Sequence, residues 1–157
     1  MNEGMHLGPK GTKLIQSFES LQLRAYVDTR EKDGSPRYGI GWGHTRSAGP
    51  PVVTKDMVIT EAEANEIFAR DALEFERKVK RLVKVQLNQN QFDALVSAAF
   101  NMATANFKEV VESSGLNEGN YAGVPAALLQ FDKSQGKRLA GLTFRRLKES
   151  QLFTEES

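Results

Sequence analysis

Cysteine is absent from the 157 residues, which excludes a disulfide framework and a thiolate metal site and leaves packing as the source of stability. The chain has two histidines, His6 and His44, too few for a histidine-rich metal site. The acidic stretch DTREKDG lacks the alternating ligand ladder of a calcium loop. No metal is therefore expected. No apolar run approaches the roughly 18 residues of a membrane span. The opening MNEGMHLGPKG has no basic segment followed by an apolar one, so neither a cleaved signal nor stable membrane insertion is expected, and the chain should stay soluble in the cytoplasm. Charge of one sign is missing too. With 21 basic against 20 acidic residues there is no global field of the kind that marks dedicated nucleic-acid binders, and no nucleic-acid partner is expected.

What is present reads as one domain, 1–157, of α+β class, expected as a monomer. A helix and small antiparallel sheet would occupy about 1–58 and a helical lobe about 59–157. Pro9 can open a first helix carrying Leu14, Ile15 and Phe18 at helical spacing, and the pattern stops near Ser20, which places Glu19 in the last turn. LRAYVD reads as a strand, Asp33-Gly34 as a turn, and RYGIGWGHT as a second extended segment. Thr60 with Glu63 forms a capping box before the stripe Ala64, Ile67, Phe68, Ala72, Phe75, Val79 and Leu82. Asn88 with Gln91 opens a buried helix. Shorter helices are expected around 107–113 and 124–131, and a last one from about 142 to 153.

Two acids draw attention. A carboxyl in a final helical turn feels the negative end of the macrodipole, and burial beside Phe18 acts in the same direction, so Glu19 is suited to stay protonated. Asp28, at a strand end beside Thr29, is suited to remain a carboxylate. Glycoside hydrolysis needs such a pair: one acid protonates the leaving oxygen while the other activates water or stabilises charge at the sugar. Spacing alone is also satisfied by two solvated side chains.

The flanking motifs decide between these readings. LIQSFESLQLRAYVD and IGWGHT, followed by VITEAEANEIFARDALEFERKVKRLV, LNQNQFDALVSAAFN, LNEGNY and GKRLAGLTFRRLKE, resemble the bacteriophage-type lysozymes, endolysins of glycoside hydrolase family twenty-four. Nearly the whole chain is covered. The resemblance implies a lysozyme-like fold of two lobes and hydrolysis of the β-1,4 bond between N-acetylmuramic acid and N-acetylglucosamine in peptidoglycan, without metal or cofactor. Glu19 would be the general acid and Asp28 would position and activate water. The protein would accumulate in the cytoplasm of an infected bacterium and reach the periplasmic wall through a lesion made by a separate holin, or travel as a virion tail component. The alternative is a non-catalytic glycan-binding or tail protein that keeps the fold. Retention against inversion, and hydrolysis against transglycosylation, stay open.

One departure bears on chemistry. The family's threonine before the IGxGH segment aligns with Gly39, and the loop from Thr29 to Tyr38 is longer than usual, so Thr29, Ser35 or Tyr38 is expected to supply the missing hydroxyl. Met102-Ala103, Phe131 and Phe144 are lesser departures. Trp42 is a candidate for stacking on a sugar or for the core. His44 is expected beside the site, oriented by hydrogen bonds. Asn101 and Phe107 are further substrate-binding or site-adjacent candidates. The basic stretch from Lys133 to Lys148 reads as a solvated face or an attraction for anionic wall polymer or a membrane surface, with Arg145 and Arg146 candidates for pairing with interior acids.

Overall fold

A computed structural model describes residues 1–156, and in it the chain forms two compact units, residues 16–74 and residues 1–15 with the chain from Phe75 onward. The boundaries fall inside the first helix, α1 (Pro9–Ser17), and the long helix α2 (Glu61–Leu82).

The smaller unit carries a three-stranded antiparallel sheet in the order β1 (Gln22–Arg30), β2 (Pro36–Gly41), β3 (His44–Thr45). RYGIGWGHT is thus two strands, not one extended segment. The chain reverses at Trp42-Gly43, where Gly41 and Gly43 take positive φ of 68° and 80°. Half of the expected long loop is strand, because β1 continues to Arg30 and β2 starts at Pro36. The C-terminal half of β2 is buried, and Ile40 packs against Val53, Ile59, Ala64 and Ile67, with Leu21, Ala25, Tyr38, Trp42 and Met57 around them. Each fully buried aliphatic side chain contributes roughly 1.5–3 kcal/mol. The segment before α2 is tied to β1 by Ala25 N–H to the Met57 carbonyl and Ile59 N–H to the Leu23 carbonyl, both 2.9 Å. The Thr60–Glu63 capping box forms reciprocally, both bonds at 3.1 Å.

The larger unit is helical: α3 (Gln89–Asn101), α4 (Thr104–Ser114), α5 (Val124–Leu129) and α6 (Ala140–Thr154). The Asn88–Gln91 capping box opens α3, and Phe92, Leu95, Val96, Ala98 and Ala99 are buried along it. A short hairpin of β4 (Lys133–Ser134) and β5 (Lys137–Arg138), unexpected from the sequence, turns at Gln135 and Gly136. The basic stretch that contains it is not uniformly solvated. Arg145 and Arg146 are buried around Glu149, which is fully enclosed. Arg145 Nε reaches Glu149 Oε2 at 3.2 Å, and Arg146 Nε approaches Oε1 at 2.8 Å as an ion pair without a well-directed hydrogen bond. Ser97 Oγ donates to Oε2 at 2.6 Å. No helix among the described residues is long and apolar enough to cross a membrane.

Candidate active site

Helix α1 ends at Ser17, so Glu19 lies just beyond it and not in its last turn. Its N–H still donates to the Gln16 carbonyl at 3.1 Å. This tightened turn converts the helix to the extended β1 within four residues and leaves the Glu19 side chain half-buried. The carboxyl faces the β2–β3 turn. A Cβ built on Gly43 would stand 2.9 Å from Glu19 Oε2 and 3.3 Å from its carboxyl carbon. Gly43 therefore serves twice: its positive φ disfavours any side chain, and its bare Cα leaves room for the acid. Gly43→Ala is expected to cost about 1–2 kcal/mol from the left-handed backbone alone. Thermal unfolding checks this, and an unchanged melting temperature would contradict the fit.

Asp28 occupies an irregularity of the ladder. Val27 pairs with Tyr38 and Thr29 with Arg37, so Asp28 is the extra residue of β1, opposite no partner of its own. A bulge of this kind re-aims a side chain and interrupts pairing, and its exposed carboxylate suits solvent contact. Asp28 and Thr29 line an open depression of about 500 Å³ with Glu31, Tyr38, Arg46 and Val52.

A residue that sequence reasoning missed lies in the electrostatic field of both acids. Tyr26 pairs with Gly39 across β1 and β2, and its ring lies over that glycine: a Cβ on Gly39 would meet the ring carbon Cζ and the hydroxyl oxygen, each at 2.7 Å. Burial pushes the Tyr26 phenol up, and the negative charges of Asp28 and Glu19 push the same way. Deprotonation of this phenol is thus displaced above the usual tyrosine range, and the group stays a neutral hydroxyl at any pH near neutrality.

His44 is buried on β3. Its Nε2 faces the Pro51 carbonyl at 2.8 Å and therefore donates, while Nδ1 meets Asp71 Oδ2 of α2 at 2.7 Å. Burial raises the Asp71 carboxyl, opposed chiefly by His44. The histidine thus fixes β3 and the following loop, and Asp71, which reads in sequence as one more acid of a charged helix face, is its second partner. Trp42 is half-buried against the sheet core, and its indole N–H donates to Asn65 Oδ1 at 2.9 Å. Asn101 accepts from Arg146 Nη2 at 2.6 Å and borders a cavity of about 200 Å³ in the helical unit with Met102, Asn106 and Phe131. Phe107 has no exposed surface and fills the helical core, so it contributes packing and offers no face to a sugar.

This geometry has counterparts. The Phage lysozyme family model matches residues 16–149. The endolysin of Bacillus phage PZA is 39% identical over 151 residues, covering 95% of this chain and 55% of that protein. The endolysin of Salmonella phage P22 is 34% identical over 149 residues, covering 95% of this chain and 98% of that protein. A crystal structure of a P22 lysozyme mutant superposes with a TM-score of 0.82 at 31% identity, covering 96% of this chain and 99% of that one. The chain spans about half the length of the Bacillus phage endolysins it matches. A family match over most of the sequence, joined to relatives that align along nearly all of it, makes this chain a member of the phage lysozyme family.

Proposed function

We propose that this chain is a peptidoglycan hydrolase that cleaves the β-1,4 bond between N-acetylmuramic acid and N-acetylglucosamine. Glu19 is the general acid and Asp28 the group that orients and activates the attacking water. The single observation that carries this reading is the placement of a half-buried glutamate against Gly43, in a unit whose bulged strand presents Asp28 to solvent. In the reaction Glu19 gives its proton to the glycosidic oxygen as the bond to the anomeric carbon breaks, and water, losing its proton to Asp28, forms the new bond to that carbon. Phage relatives named endolysins support a role in host lysis. In that role the protein accumulates as a monomer in the cytoplasm of the infected cell and reaches the wall after a holin opens the membrane.

Loss of turbidity of chloroform-treated Gram-negative cells tests the reading. Rapid clearing is expected from the parent protein. A second reading, a glycan-binding or virion protein that keeps the fold, is favoured by the absence of a side chain at Gly39. Binding to purified cell walls without clearing would support it and overturn the first.

A further inference from the structure

The acid pair leaves one requirement unmet. A water molecule that attacks a carbon must point a lone pair at it, so both of its hydrogens need acceptors, and one carboxylate oxygen restrains only one of them. We propose that the Tyr26 hydroxyl is the second group, a positioning residue whose oxygen accepts a hydrogen bond from the other hydrogen of the attacking water. This rests on the assignment of Glu19 and Asp28 given above.

Three observations support it. Tyr26 stands two residues before Asp28 on β1, and its hydroxyl is held over Gly39 on the neighbouring strand at a distance that no Cβ could share. The same phenol feels the charges of both Asp28 and Glu19, and its ionisation is suppressed, so it remains a donor and an acceptor. The remaining hydroxyls of the hairpin are placed differently. Ser35 and Tyr38 line the depression with Asp28, but Ser35 Oγ is bound to Asp33 at 2.6 Å in the turn and Tyr38 packs against the sheet core. Thr29 borders the depression beyond the bulge. Gly39 is thus one half of a pair. A small residue on β2 admits a large one from β1, and the hydroxyl that a side chain at 39 could have offered arrives from the facing strand. Tyr26 transfers no proton and forms no bond in this role.

The test is kinetic, on purified peptidoglycan. Tyr26→Phe keeps the ring and removes the hydroxyl, and is expected to lower kcat about 10- to 100-fold with KM and melting temperature unchanged, the size of effect that misplacement of a reactant produces. An exchange of positions separates a hydroxyl effect from a packing effect. Gly39→Thr in a Tyr26→Ala background, where the ring no longer blocks the Cβ, is expected to recover activity over Tyr26→Ala alone, while Gly39→Val in that background recovers none. A Tyr26→Phe protein as fast as the parent, or threonine and valine doubles of equal activity, would overturn the inference and leave the acid pair standing. An inactive parent would instead remove the reading on which it rests.

Discussion

Replacing Glu149 by Ala is expected to destabilise the protein by about 3–5 kcal/mol, the cost of leaving buried guanidiniums without their counter-ion. The loss is large because the group is central. Glu149 has no exposed surface and receives Arg145, Arg146 and Ser97. Burial pushes its carboxyl up and the two guanidiniums oppose this. Against a total stability of about 5–15 kcal/mol for an ordinary domain, this is a large fraction. Chemical denaturation should report it as a fall in the midpoint. Exposed pairs give the contrast: Lys108 and Glu112 stand 3.8 Å apart with most of each side chain in water, and Glu112→Ala should cost no more than about 0.5 kcal/mol. Replacing Arg145, Arg146 and Glu149 together by apolar residues of similar volume should be far milder than Glu149→Ala, because no charge is then stranded. A Glu149→Ala protein as stable as the parent would show that the cluster is not held as charges.

The second large effect concerns catalysis. Glu19→Gln keeps the shape beside Gly43 but has no proton to give, and turnover should fall by about 10²- to 10⁴-fold, the range for loss of a positioned general acid. Asp28→Asn should fall comparably through loss of the group that takes the proton of water. Both should retain binding to cell walls and the parent's melting temperature, since Glu19 is half-buried and Asp28 exposed. Initial rates of reducing-end release at matched folded concentration check this, and near-parental rates for either variant would contradict its role.

Local signals survived the passage from sequence to structure. The capping boxes at Thr60 and Asn88, the apolar stripe of α2 and the strand leading to Asp28 all depend on residues within a few positions of one another. What was not legible depends on pairing at a distance. The approach of Tyr26 to Gly39 requires the register of β1 on β2, which two irregularities set, and no local pattern encodes those. Asp71 and Glu149 look like members of charged helix faces until a buried histidine or two buried arginines are placed against them. Apolar spacing places the end of α1 too late, because Phe18 continues it for one residue past the last full turn. The reversal at Trp42-Gly43 is hidden in the sequence, because a two-residue turn between short strands leaves little trace beyond its glycines.

Digestion of purified peptidoglycan in water enriched in heavy oxygen, followed by mass analysis of the fragments, tests the central claim most directly. If Glu19 protonates the leaving oxygen while Asp28 directs water to the anomeric carbon, each new reducing end is an N-acetylmuramic acid carrying one heavy oxygen. Anhydro ends without the label, or intact glycan strands after exhaustive incubation with folded protein, would contradict it.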